Sequence, residues 1–401
     1  MQPTELNLRP RSLVLYWSDH RESEFHYIWL RDNCRCPECL HPVTFERSLL
    51  TAAIPREVAP DEARIEADGS LYVRWPGEGH ESRYPAQWLR GHCYSAQARA
   101  ERRRRPRLWD ARLADDLPAM AHSAVVGSDE GLLRFLEMFR DYGFTLVRGV
   151  PTVPGEVARF ADHVAYVREI IFGRVHDVLN LPDAYNVAQT AIELRPHTDL
   201  PSYGWPPSVQ LIHCLMNQAQ GGESIVVDGF QIASRLREED PDAFAVLTRV
   251  GVQFRLYASD GDTLARAPMI QLDTEGELQI FRFSNQLIQP LDIPGEWVEP
   301  FYDAYRKLSL MVLDARNQVR FRLASGDMIV AHGHRVMHGR AAFDPSSGRR
   351  HLQDAYMEFD DFLGRIRLLR GKLYGEGAVP GESAKRRSKR GDGRTQAASA
   401  G

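Results

Sequence analysis

The stretches Pro196-His197-Thr198-Asp199 and Arg335-Val336-Met337-His338-Gly339-Arg340 decide how this chain is read. Two imidazoles and one carboxylate on one face of a metal ion leave the opposite face open. That is the two-histidine-one-carboxylate facial triad of non-haem iron(II), and an open face is what a metal needs to take a cosubstrate and O2. His-x-Asp alone is weak, because it arises by chance in many chains. Its weight here comes from Arg350, twelve residues beyond His338, at the head of Arg350-His351-Leu352-Gln353-Asp354-Ala355-Tyr356. A guanidinium is a planar fork matched to a carboxylate. A reaction that splits 2-oxoglutarate needs such a fork to anchor the far carboxylate while the keto acid end chelates iron. The run 350–357 reads as a strand, and strand alternation puts Arg350, Leu352, Asp354 and Tyr356 on one face. The competing reading pairs Arg350 with a surface acid.

At 401 residues the chain is long enough for one large and one small domain. Its 43% hydrophobic and 26% charged residues are those of a soluble globular protein, and a net charge of −4 gives no drive toward nucleic acid or anionic membrane. No run approaches the ~18 consecutive apolar residues of a membrane span. The start, Met1-Gln2-Pro3-Thr4-Glu5-Leu6-Asn7, lacks the basic-then-apolar pattern of a secretory signal. The expectation is a cytoplasmic protein that meets a small molecule and O2, with no nucleic acid and no membrane as partner.

Three of the five cysteines crowd into Cys34-Arg35-Cys36-Pro37-Glu38-Cys39. At this chain length that is not a disulfide framework. Thiolates favour zinc, and a structural zinc site needs a fourth ligand. His41, His80, His92 and Cys93 are the candidates. His41 lies too close in sequence to close a tetrahedron comfortably, whereas His80 arrives from a separate turn at 75–82. Free reduced cysteines are the plain alternative; a redox pair at Cys36 and Cys39 lacks the surrounding βαβ pattern. Cys214, in the apolar run 209–216, reads as a small core residue.

Residues 1–98 read as a mostly β domain, with strands at 12–17, 26–30 and 70–75. Residues 99–122 read as a basic helical linker: Arg102 to Arg105 stand in a row without interleaved aromatics, which favours a solvated helix over a nucleic-acid site. Residues 123–375 form the second domain. Its helical periodicity covers 130–142, 156–167, 230–238, 240–250 and 300–317, and its strands cover 143–149, 209–216, 224–227, 327–331 and 350–357. The expected architecture is mainly β with flanking helices: a double-stranded β-helix, or jelly roll, with metal at the open mouth between two sheets, plus the small zinc-binding β domain. Residues 383–401 read as a disordered tail.

The run from about residue 12 to 372 resembles the γ-butyrobetaine dioxygenase and trimethyllysine dioxygenase family, within the taurine dioxygenase superfamily of Fe(II)/2-oxoglutarate oxygenases. The residues that carry the likeness are Trp29-Leu30-Arg31-Asp32-Asn33-Cys34-Arg35-Cys36, Pro207-Ser208-Val209-Gln210-Leu211-Ile212-His213-Cys214, Gly221-Gly222-Glu223-Ser224, Val227-Asp228-Gly229-Phe230, His338-Gly339-Arg340 and Arg350-His351-Leu352. The resemblance implies zinc on Cys34, Cys36, Cys39 and His80, iron on His197, Asp199 and His338, and 2-oxoglutarate on Arg350 with Ser224 beside its carboxylate. It also implies a homodimer, with ascorbate supporting activity.

The substrate positions depart from the family pattern. The aromatic cage that takes a quaternary ammonium falls on Phe172, His176, Gln189 and Tyr356, of which only Phe172 and Tyr356 are aromatic. Asn186 and Asn285 match the asparagines that hold the substrate's acid group. Asp354 stands where the family has glycine, and facing inward it would favour an amine that can donate a hydrogen bond; the alternative is that it pairs internally, for example with Arg350 or another arginine. The expected activity is hydroxylation of an aliphatic C–H of a small zwitterionic or amine-bearing acid. The rivals are γ-butyrobetaine hydroxylation, a step of carnitine biosynthesis, with a rearranged cage, and a catalytically silent metal-binding regulator.

Overall fold

A computed structural model describes residues 1–77, 79–103, 105–180, 187–258 and 261–375. Asn186 and the tail 383–401 lie outside them. The chain divides between Arg105 and Pro106, within the stretch read as a linker. Helix Ala96–Arg102 precedes the division. Residues beyond it are built into the second unit. Trp109 is 7% exposed, its indole N–H donates to the Tyr142 carbonyl at 2.8 Å, and strand Ala119–Ala121 pairs in parallel with Phe144–Arg148. A buried tryptophan with its N–H satisfied anchors this segment in the core, and the arginine run had masked that signal.

In the N-terminal unit two antiparallel sheets, Pro3–Leu8 with Ser12–Trp17 and Glu22–His26, and Glu62–Ile65 with Leu71–Arg74 and Glu81–Tyr84, share one core. Leu13, Leu15, Trp17, Phe25, Leu71, Val73, Trp75, Tyr84 and Leu89 fill it. The strand expected at 26–30 is instead the helix Tyr27–Asp32. Tyr27 and Leu30 are its buried residues, three apart on one helical face, and Arg31 sits in its last turn near the negative end of the helix.

In the second unit local signals set the helices that flank the sheets. Ser128 caps Asp129–Tyr142 by accepting from the Gly131 N–H at 3.0 Å, Asp129 and Glu130 occupy the first turn, and Gly143 ends the helix at φ 67°. Its apolar stripe, Leu132, Leu133, Phe135, Leu136 and Phe139, packs with helices Glu156–Val164 and Phe359–Tyr374. These helices cover one face of a six-stranded sheet ordered Ala119–Ala121, Phe144–Arg148, Met328–His332, Val209–Asn217, Arg350–Met357, His176–Leu179. A second, antiparallel sheet is ordered Leu194–His197, Val336–Arg340, Ser224–Asp228, Gln318–Phe321. Helices Gly229–Glu239, Pro241–Arg249 and Val298–Leu313 pack with its outer residues Ile225, Val227 and Met337. The inner faces meet through Leu146, Ile212, Cys214, Val226, Val319, Ile329, Val336 and Leu352. This is the jelly-roll arrangement, and Cys214 is a core residue within it. No helix among the described residues is long and apolar enough to cross a membrane.

One buried ion pair ties the second unit together. Arg335 donates from Nε and Nη2 to the two carboxylate oxygens of Asp228, at 3.0 and 2.8 Å, and from Nη1 to the Asp141 carbonyl at 3.1 Å. Asp228 also accepts from the backbone N–H groups of Trp109 and Phe230. The two side chains are 3% and 0% exposed. Removing one partner leaves an uncompensated buried charge, a loss of about 3–5 kcal/mol. Asp228→Asn is therefore expected to lower the stability of this unit by that amount in urea unfolding; a loss below about 1 kcal/mol would mean the pair is dispensable.

Candidate metal and cosubstrate site

His197 and His338 stand directly opposite each other on neighbouring antiparallel strands. A register shift between Leu194 and His197 interrupts that ladder, and bulges of this kind re-aim side chains beside active sites. The rings lie 4.6 Å apart. Asp199 Oδ1 is 3.1 Å from His197 Nε2 and 3.8 Å from His338 Nε2. Bonds of about 2.1 Å to an octahedral ion set adjacent donors about 3 Å apart. The donor set thus fits iron(II), with the His338 contact somewhat open. His197 Nδ1 lies 2.9 Å from the Arg195 carbonyl, which fixes Nε2 as the free lone pair. Burial, aided by the nearby His197 against the pull of Asp199, pushes the His338 imidazole down to about 4, so it is neutral and available as a ligand at neutral pH.

Asp199 follows a strand end that is itself braced. The Thr198 N–H donates to the Phe283 carbonyl at 2.7 Å, and the Phe283 N–H donates to Thr198 Oγ1 at 3.0 Å. The next residue, Leu200, is left-handed at φ 51°, a strain of roughly 1–2 kcal/mol for an L-residue. Burial of its side chain beside Ile170 and Tyr356 offsets it. Desolvation would raise the Asp199 carboxyl, but His338, His197 and the Tyr356 hydroxyl outweigh it and hold the group well below the usual carboxylate range.

A cavity of about 350 Å³ opens over the triad. At one end lie Ser224, Arg340 and Arg350. Neither arginine has an acidic partner among the described residues. Arg340 donates to the Thr190 carbonyl at 2.9 Å, and Arg350 Nε is buried without a hydrogen-bond partner. Burial pushes both guanidinium groups down to about 10, so both remain cations. Two enclosed cations without anions make this end suited to a carboxylate. Arg340 belongs to the motif His338-Gly339-Arg340, and its place two residues after His338 on the same strand makes it the alternative anchor to Arg350.

At the other end lie Phe172, His176, Asp354 and Tyr356. His176 stacks on Phe172 at 4.8 Å and pairs across the sheet with Asp354. Its Nδ1 is 3.4 Å from Asp354 Oδ1, yet that oxygen is buried and makes no hydrogen bond. Among the described residues no arginine pairs with Asp354. Burial raises its carboxyl, with His176 opposing. Tyr356 presents its ring to the cavity, but its hydroxyl is committed to Asp199. Two expected substrate contacts are not brought to the lining. Asn285 is exposed, and its Oδ1 accepts from the Tyr305 hydroxyl at 3.1 Å. Gln189 is buried and does not line the cavity, although its neighbours Val187 and Ala188 do. Asn186 lies outside the described residues. Gln210 was missed, although its position in the 207–214 run marked it as inward-facing.

In the N-terminal unit His80 Nε2 lies 3.2, 3.6 and 3.6 Å from the sulfurs of Cys34, Cys36 and Cys39. Tetrahedral zinc, with bonds of about 2.3 Å to sulfur and about 2.0 Å to nitrogen, sets such edges near 3.5 Å, so the cluster fits that ion. The rival ligands are engaged elsewhere: His92 with the Trp88 carbonyl, Cys93 with Ser95, and His41 with the N–H groups of Val43 and Thr44.

Gly339 is what lets the two histidine strands meet. A Cβ there would stand 2.7 Å from the Leu194 carbonyl oxygen and 2.8 Å from the Pro196 nitrogen, both backbone atoms that cannot swing aside. Overpacking of this kind costs about 1–3 kcal/mol. Gly339→Ala is expected to weaken iron(II) binding roughly ten- to a hundredfold in anaerobic titration; unchanged affinity would show that strand separation does not govern the site.

Residues 122–356 match the family described as taurine catabolism dioxygenase TauD, TfdA, and residues 4–76 match the γ-butyrobetaine hydroxylase-like N-terminal family. The γ-butyrobetaine dioxygenase of Pseudomonas sp. (strain AK-1) is 41% identical over 356 residues, covering 88% of this chain and 92% of its own. That of Homo sapiens is 31% identical over 371 residues, covering 90% and 95%. The mitochondrial trimethyllysine dioxygenase of Gallus gallus is 30% identical over 379 residues, covering 90% and 89%. With the open triad and the paired cations on one cavity wall, these likenesses place the chain in the TauD, TfdA dioxygenase family: it is a 2-oxoglutarate-dependent dioxygenase.

Proposed function

We propose that the protein hydroxylates an aliphatic C–H of a small zwitterionic or amine-bearing acid. His197, Asp199 and His338 would hold iron(II), and Arg350, with Ser224 beside it, would anchor 2-oxoglutarate. Iron, when bound with 2-oxoglutarate and O2, supplies the oxidising power for the C–H bond. The chain's own residues bind, orient and exclude water. Arg350 and Arg340 offer the positive charge that a dicarboxylate needs, while Leu194, Ile329 and Leu352 keep the chamber between the two ends apolar. The gain is positional: one C–H is held near the open metal face.

The observation that carries the substrate class is Asp354, a buried carboxylate at the cavity wall whose Oδ1 makes no hydrogen bond and faces His176 Nδ1 at 3.4 Å. An ammonium bearing N–H can satisfy that oxygen; a trimethylammonium cannot. Of the four cage positions, Phe172 and Tyr356 are the aromatic ones, and cation–π attraction is worth about 0.5–1 kcal/mol when exposed and about 2 when desolvated. Asn285, exposed and engaged by Tyr305, is not part of this proposal. The second reading, γ-butyrobetaine hydroxylation with a rearranged cage, is favoured by the 41% identity to the Pseudomonas enzyme. Product mass spectrometry on γ-butyrobetaine and its unmethylated amine separates the two. Wild type is expected to prefer the amine by at least tenfold in kcat/KM, roughly 1.4 kcal/mol, and Asp354→Gly to lose that preference. Efficient betaine hydroxylation by wild type would establish the second reading. We also propose a homodimer, as the resemblance implies, and a cytoplasmic location, with ascorbate supporting activity.

Arg350→Ala should raise the 2-oxoglutarate requirement by the loss of a charge-assisted pair, roughly 2–5 kcal/mol. Unchanged affinity would transfer the anchoring role to Arg340. For the N-terminal unit we propose one structural zinc on Cys34, Cys36, Cys39 and His80. Elemental analysis should find one equivalent, and strong chelation should loosen that unit because ligand binding and folding are linked. Zinc content unaffected by His80→Ala would exclude the fourth ligand.

A further inference from the structure

Asp199 uses its two oxygens differently. Oδ1 faces His197 Nε2 and His338 Nε2. Oδ2 accepts from Gln210 Nε2 at 2.6 Å and from the Tyr356 hydroxyl at 2.7 Å. Gln210 Nε2 also lies 3.2 Å from the Tyr356 oxygen, as donor to it, which closes a three-membered ring of hydrogen bonds. Gln210 and Tyr356 stand directly opposite each other on adjacent strands, and each is 4% exposed. The ring is therefore built from the rigid central ladder of the large sheet, not from a loop. Two donors occupy both lone-pair directions of Oδ2.

From this we infer that Gln210 and Tyr356 are positioning residues that restrict Asp199 to one-oxygen ligation of the metal. The inference rests on the proposed iron site. Its chemical consequence is a count of positions. Two imidazoles and a single carboxylate oxygen leave half of an octahedral ion open. A carboxylate free to bind through both oxygens would close one of those positions and compete with a chelating keto acid. The cost of releasing Oδ2 from two charge-assisted hydrogen bonds in a buried site opposes that change. Tyr356, at a position matched to a substrate cage, thus has a second task. Its ring faces the cavity, and its hydroxyl holds the metal's carboxylate.

Cobalt(II) is the probe, because its visible ligand-field spectrum reports coordination and it needs no O2. Wild type, Tyr356→Phe, Gln210→Leu and the double variant are titrated anaerobically with cobalt(II), then with 2-oxoglutarate. Tyr356→Phe removes one oxygen and keeps the ring's packing, so it preserves the test if Gln210→Leu fails to fold. The expected result is cobalt affinity within threefold of wild type or tighter, an altered ligand-field spectrum before cosubstrate addition, and at least tenfold weaker 2-oxoglutarate binding to the cobalt form. The loss should be larger in the double variant than in Tyr356→Phe. An unchanged spectrum with unchanged 2-oxoglutarate affinity overturns the inference. So does a tenfold loss of cobalt affinity with 2-oxoglutarate affinity intact, because that pattern belongs to residues that merely support the fold. If wild type itself binds no cobalt at the triad, the proposed metal site fails along with the inference.

Discussion

The ladder that places His197 opposite His338 is the constraint from which the rest of the site follows. It demands backbones close enough that residue 339 has no side chain, and a bulge that turns His197 inward. It also demands that the turn after Asp199 be held left-handed at Leu200. Strain at one residue and an intolerance of any Cβ at another are costs that a plain structural sheet would not carry. The buried Arg335–Asp228 pair anchors the same region from behind, at the start of the His338 strand and the end of the Ser224–Asp228 strand beside it. The strand that carries His338 is thus anchored at its Val336 end.

A second organising element is the strand Arg350–Met357. Its alternate residues Arg350, Leu352, Asp354 and Tyr356 all face the cavity. At about 3.3 Å per residue, the guanidinium-bearing and carboxylate-bearing positions stand roughly 13 Å apart along one rigid ruler. A positive end and a negative end, separated by the apolar side chain of Leu352, sort two ligands by charge. Tyr356 then links the ruler to the metal through Asp199.

The sequence made the ligands legible because their chemistry is rare: two histidines, an aspartate and three clustered cysteines have few plain explanations. Alternation on the 350–357 strand was equally legible, since period two needs no tertiary information. What was not legible depended on partners distant in sequence. Residues 27–30 looked like a continuation of the strand that ends at His26, until packing of Tyr27 and Leu30 made a helix turn. Trp109 was hidden behind an arginine run. Asn285 matched a family position, yet sequence could not reveal that Tyr305 engages it at the surface. Gln210 is an ordinary polar residue in an apolar strand. Only the register against Tyr356 makes it a donor to Asp199.

The central claim is that one iron(II) binds where the two histidine strands face each other. Anaerobic iron(II) titration of wild type, His197→Ala and His338→Ala, with succinate release measured at matched iron, tests it most directly. Wild type should bind one equivalent at the triad and release succinate from 2-oxoglutarate. Each variant should unfold as cooperatively as wild type while losing that equivalent and the turnover. Near-normal iron binding and succinate formation by either folded variant would contradict the assignment.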